Sequence, residues 1–112
     1  MIFQWNEWNR EHVAKHDVTP DEAQYVVNHA RRPFPRGIDD REFLVWEQTQ
    51  TGRYLQVIYV YVDDPDVDLI SLSPTERIRF QDGESVVFVV HARELTEDEK
   101  RSYRRRKRRP RP

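Results

Sequence analysis

The chain predicts an α+β domain: a small, mostly antiparallel sheet with two N-terminal helices, one C-terminal helix and an inserted β-hairpin. Three observations predict it. Two helix-start signatures follow a short apolar opening. Two runs rich in β-branched and aromatic residues flank Thr51-Gly52, the signal of a hairpin. A third capped helix begins at Thr96 and runs into a block of arginine and lysine.

Ile2 to Trp5 is short, apolar and aromatic and reads as a first strand. From Asn6, an N-cap, the pattern turns helical, with Trp8, His12, Val13 and His16 on one face at spacings of three and four. Thr19-Pro20-Asp21-Glu22 opens the second helix with a hydroxyl cap, proline at the first helical position and glutamate three residues after the cap. Its buried side is Ala23, Val26, Val27 and Ala30, and Pro33 and Pro35 end it. Arg41 to Gln50 and Arg53 to Val62 are the hairpin strands. The second is apolar on both faces and reads as a central strand covered on both sides. Ser85 to Ala92 is a further core strand. Between them, Leu69 to Leu72 and Ile78 to Phe80 read as short strands closed by Asp82-Gly83, so residues 64–84 are expected to form the inserted hairpin. The last helix starts with a capping box, Thr96 to Glu99, and is expected to run to Arg109, where Pro110 stops it.

At 112 residues the chain is expected to be a single domain with a modest core. It has no cysteine, which excludes a disulfide scaffold, thiolate metal sites and a cysteine nucleophile. No apolar run suits a membrane span, and the opening residues lack the basic start and apolar stretch of a signal peptide, so a cytoplasmic location is expected. The formal charge of −1 hides an asymmetry. Residues 1–99 hold all twenty acids against ten bases, and residues 100–112 hold nine bases and no acid. A polyanion is drawn to such an end and repelled by the body.

The order of several motifs resembles the BrnT family of type II toxins, within the wider RelE-like group of small ribonucleases. Phe3-Gln4-Trp5-Asn6 is similar to the family's opening, and Lys15-His16-Asp17-Val18 followed by Glu22-Ala23 to its Lys-His-Gly-Val and Glu-Glu-Ala signature. Arg41-Glu42-Phe43 and Gly52-Arg53-Tyr54 stand where the family has an Arg-led strand and a Gly-Arg hairpin. His91-Ala92-Arg93, then Glu99 and Tyr103, resemble its closing Ser-Ala-Arg, Glu and Tyr pattern. The chain departs from the pattern at His12 for asparagine, Asp17 for glycine, and Phe88 and His91 for arginine and serine. The resemblance implies a RelE/BrnT-like fold, a metal-independent RNA endonuclease that halts translation, no cofactor, and a ribbon-helix-helix antitoxin as partner.

Metal-independent RNA cleavage needs the 2′-hydroxyl deprotonated, the phosphorane stabilised and the leaving oxygen protonated. The candidate catalytic residues are His16, Arg53, His91 and Arg93, which are expected to gather on an uncovered side of the sheet. His91 and Arg93, two apart on a strand, share a face; Arg93 has a structural alternative, an ion pair with Glu97 or Glu99. His16 has one too, packing under the sheet at the end of its helix. Lys15, Arg104, Arg105, Lys107 and Arg108 are the candidate RNA-binding cations, with a salt-dependent and weakly selective grip. The same basic end can instead fold over the acidic body, meet an acidic partner or stay solvated. His12 and His16 have zinc-ligand spacing, but no third ligand follows, so no metal is expected. Trp5, Trp8 and Trp46 read as core or interface residues, and Tyr103 as a core residue. A non-catalytic module that binds nucleic acid or an acidic protein on the same fold is the alternative to the nuclease.

Overall fold

The computed structural model describes residues 1–108. In chain order it holds β1 (Ile2–Phe3), α1 (Glu7–Ala14), α2 (Pro20–Asn28), β2 (Arg36–Gly37), β3 (Glu42–Gln48) and β4 (Tyr54–Val62). Two 3₁₀ turns, Asp64–Asp66 and Leu69–Ser71, lead to α3 (Pro74–Gln81), β5 (Val86–Glu94) and α4 (Glu97–Arg108). The expected end of the last helix at Arg109 and Pro110 lies outside the described residues. Among those described, no helix is long and apolar enough to cross a membrane.

Local chemistry accounts for the helix starts. Asn6 caps α1 and exchanges hydrogen bonds with Asn9 in a capping box, Thr19 and Glu22 do the same for α2, and Thr96 and Glu99 for α4. The buried side of α1 is Asn9 and Val13. Trp8 and His16 are exposed and His12 half-buried, so the aromatic side of this helix is its rim and not its core face.

The expected inserted hairpin at residues 64–84 is not formed. Its place is taken by the two 3₁₀ turns and α3. Ser73-Pro74-Thr75-Glu76 is a capping box with proline at the first helical position, the same device that starts α2. The Asp82-Gly83 pair ends this helix and does not turn a hairpin. Gly83 adopts φ +98°, its N–H donates to the Phe80 carbonyl and the Glu84 N–H to the Arg79 carbonyl. That is a Schellman closure, which favours glycine because the left-handed region is open to it.

The sheet has the order β1-β5-β4-β3-β2, and β1 runs parallel to β5 while the other pairs are antiparallel. It is therefore mixed, with antiparallel pairs in the majority. The small β2 was not visible in the sequence pattern.

One face carries the main core. Val45, Leu55, Val57, Tyr59, Val87, Val89 and Ala92 meet Val13, Val18, Ala23, Val26 and Val27 from the first two helices and the loop between them. Each fully buried aliphatic side chain contributes about 1.5–3 kcal/mol relative to exposure. β4 is central, as its apolar run predicts, but it is not covered on both sides. Leu55, Val57 and Tyr59 are buried while Ile58 and Val60 on the opposite face are only half-buried. That face is closed at one end by a second small core of Ile2, Leu72 and Val86 with Val62, Val67 and Phe80.

Candidate functional site

Cross-strand partners stand on the same side of a sheet. Val60 pairs with Phe88, Ile58 with His91 and Gln56 with Arg93, and across β3 Leu44 pairs with Ile58 and Trp46 with Gln56. These residues form the half-open face. A register shift beside Ile58 and Tyr59 leaves Val90 without a partner, a β-bulge. The bulge puts Phe88 and His91 on one face although they are three residues apart, an odd spacing that a regular strand would split.

Helix α1 borders this face along β5. The His16 and His91 rings lie 5.5 Å apart edge to face. One turn back, His12 stacks on Trp8 at 4.3 Å, and Trp8 stacks on Phe88 at 5.9 Å. Two imidazoles from separate elements thus meet beside Arg93. His91 is half-buried, and burial lowers its pKa below the usual histidine value, helped by the nearby His16, Arg93 and His12. It therefore stands neutral at pH 7 and can accept a proton.

Arg93 is engaged. Its Nη1 donates to Glu99 Oε1 at 2.7 Å and its Nη2 to Glu99 Oε2 at 3.0 Å and Gln56 Oε1 at 3.2 Å. The Arg93 guanidinium holds the Glu99 carboxyl down to about 2, against the opposing effect of burial. The structural alternative for Arg93 is thus the arrangement seen. Glu99 fills the guanidinium fork that would accept a phosphate, while also capping α4.

Arg53 does not join the group. It shares strand parity with Leu55 and Val57, so it projects on the helix-covered side. Its Nη1 donates to both Glu22 oxygens at 2.9 and 2.8 Å and to the Asp17 carbonyl at 2.8 Å, and its Nε to Glu94 at 3.1 Å. Burial pushes the Glu22 carboxyl up, but hydrogen bonds from the Thr19 N–H and Arg53 outweigh it and the pKa is lowered. Arg53 ties the hairpin to α2. The expected convergence of four residues is therefore a convergence of three: His16, His91 and Arg93.

Helix α4 borders the face at the Tyr54 end. Lys100 lies 5.9 Å and Arg104 5.1 Å from the Tyr54 ring, and Arg106 6.0 Å from the Trp46 ring. Arg104 and Arg105 are exposed, as is Lys15 at the end of α1; Lys107 and Arg108 fall in the last turn of α4. Lys100 and Arg101 pair with Glu97 and Asp98 within α4 itself. The helix is fixed by a buried anchor. The Tyr103 hydroxyl donates to Glu47 at 2.6 Å and accepts from Arg31 at 3.1 Å, and Arg31 also donates to Glu47 at 3.0 Å. Burial and Glu47 push the Tyr103 phenol up to about 12, so it keeps its donor proton.

Trp8, His12, Phe88 and Glu99 are parts of this surface that the candidate residues omitted. Repeats of four from Trp8 to His12 to His16 carried the signal, but the same spacing also fits a buried stripe. Among the described residues no group of three or more His, Asp or Glu is arranged to hold a metal. No protein-family model matches the chain, and no curated protein or solved structure is significantly similar to it.

Proposed function

We propose that the chain is a metal-independent RNA endonuclease of the toxin type, with a RelE/BrnT-like fold and its site on the half-open sheet face. The observation that carries this reading is the His16–His91 pair, 5.5 Å apart beside Arg93, on a face bordered by the bases of α4. His91 takes the proton of the 2′-hydroxyl. The 2′-oxygen bonds to phosphorus as the bond to the 5′-oxygen breaks, and His16 gives that oxygen its proton. The products are a 2′,3′-cyclic phosphate and a 5′-hydroxyl. Arg93 neutralises the phosphorane once the phosphate displaces Glu99 from its fork. Asp17 gives the motif resemblance further support. It adopts φ +56°, the left-handed conformation that glycine favours, at the place where the BrnT pattern has glycine. A small ribbon-helix-helix protein is the partner expected to silence such a toxin, and the cytoplasm the place where it acts.

One observation favours a second reading, a non-catalytic module that binds RNA or an acidic protein. Arg93 and Arg53 are both held by carboxylates, so substrate has to compete for the only guanidinium beside the histidines among the described residues. Incubation of end-labelled single-stranded RNA with purified protein in excess EDTA decides between them. Cleavage to cyclic-phosphate ends, together with growth arrest on expression, is the expected result. Retention of intact RNA without cleavage selects the binding module.

A further inference from the structure

We propose that Trp8, stacked with His12 and Phe88, is the base-binding platform of this face, a subsite for a nucleobase next to the phosphate handled by His16 and His91. The inference rests on the RNA reading above and specifies how the strand is held. Tryptophan is a large apolar side chain, and Trp5 follows the ordinary pattern: it is buried, and its Nε1 donates to Gln24 at 2.7 Å. Trp8 does not. It is 51% exposed at the start of α1. Its ring is nevertheless held, at an interplanar angle of 18° to His12 and 24° to Phe88. An indole both exposed and fixed loses little entropy when a flat ring stacks on the assembly.

The position of the stack suits a nucleotide strand. Trp8 stands in the first turn of α1 and His16 in the turn just past its end, so roughly 9 Å of helix at 1.5 Å per residue separates Trp8 from Ala14, two residues before His16. His12 lies between them. Phe88 stands on β5 as His91 does, and Trp8 and His12 stand on α1, which leads into the turn of His16, so the strip runs beside both histidines. A strand whose phosphate reaches His16 and His91 therefore brings an adjoining base to Trp8. Every base has a π-face, so such a platform grips single strands with little regard for sequence. The bases of α4 add the electrostatic grip on phosphates that positions a strand along the face.

The test compares binding of a short, non-cleavable 2′-O-methyl oligouridine with binding of its abasic counterpart, by fluorescence anisotropy at fixed salt. The wild-type chain is expected to prefer the strand with bases by about 5- to 100-fold. Trp8→Leu, which keeps an apolar cover over Phe88, is expected to lose most of that preference, and Trp8→Tyr to keep most of it. Equal wild-type affinity for the two strands, or an undiminished preference in folded Trp8→Leu, overturns the platform and leaves the RNA reading standing. Binding of neither strand overturns both. If Trp8→Leu does not fold, Trp8→Phe takes its place. It keeps a ring over Phe88 with a smaller stacking surface, so a partial loss is expected and an unchanged preference overturns the platform.

Discussion

His91→Ala is expected to lower the rate of RNA cleavage by about 10²–10⁴-fold, the usual contribution of a positioned acid or base. It should leave RNA affinity within a few-fold, because the proposed contacts of α4 with phosphates and of Trp8 with a base are untouched. The effect is large because His91 is the half-buried member of the imidazole pair and its neutrality at pH 7 follows from that burial. The pH dependence has a definite sign. Burial, His16, Arg93 and His12 all disfavour the protonated form, so the acid limb of the wild-type rate profile should fall below the ordinary value of 6.5. The same shift bears on stability. The unfolded chain takes this proton more readily than the folded one, so the domain loses stability as the pH drops from 6.5 through the folded pKa. Histidine NMR titration and single-turnover rates between pH 5 and 8 measure both.

Tyr103→Ala is expected to give the largest loss of stability, about 3–5 kcal/mol, as for removal of a buried aromatic side chain. The ring is 5% exposed and packs edge to face on Tyr54 at 5.7 Å. Its hydroxyl is the donor that helps hold a carboxylate, Glu47, at 4% exposure. Burial pushes Glu47 up, and hydrogen bonds from Arg31, Tyr103 and the Gln48 N–H more than offset this and lower its pKa. Tyr103→Phe separates the two effects. It keeps the packing and removes the charged-partner hydrogen bond, so it should cost about 1.5–3 kcal/mol. Since Tyr103 anchors α4, urea unfolding should be accompanied by faster amide exchange in residues 97–108 at low denaturant. A Tyr103→Phe variant as stable as the wild type would show that the hydroxyl contributes nothing, and equal losses in the two variants that the ring packing contributes nothing.

Much of the secondary structure is legible in the sequence because local hydrogen bonding specifies it. Asn6, Thr19 and Thr96 start helices through side chains that any extended chain already carries, and Thr51-Gly52 closes the hairpin that pairs β3 with β4. The same logic is present at Ser73-Pro74-Thr75-Glu76, yet the apolar alternation of Ile78 and Phe80 imitates a strand and hides the helix. Arg53 was also legible in part. It has the parity of Leu55 and Val57, the buried side of β4, so period two alone argues against its sharing a face with Arg93.

The meeting of His16 with His91 was not legible to the same degree. It depends on β1 lying parallel to β5, on α1 bordering that strand, and on a bulge at Val90, none of which leaves a local pattern. Glu99 shows another limit. A capping box identifies the residue as a cap for α4, but its second task, filling the Arg93 fork, requires the end of β5 to face the start of that helix. The openness of the β4 face is a tertiary fact of the same kind. An apolar strand suits two covered faces, and only the placement of α3 and α4 at its two ends leaves the middle accessible.

On the proposed function, RNA is handled on the half-open face, between α1, α4 and α3. Amide and side-chain NMR shifts recorded while a non-cleavable single-stranded RNA is added test it most directly. Trp8, His12, His16, His91 and Arg93 are expected to shift together and saturate with one affinity, while Glu22 and Arg53 on the covered side stay in place. Shifts concentrated around Glu22, Arg53 and Glu94, with the imidazoles unmoved at saturation, would contradict it.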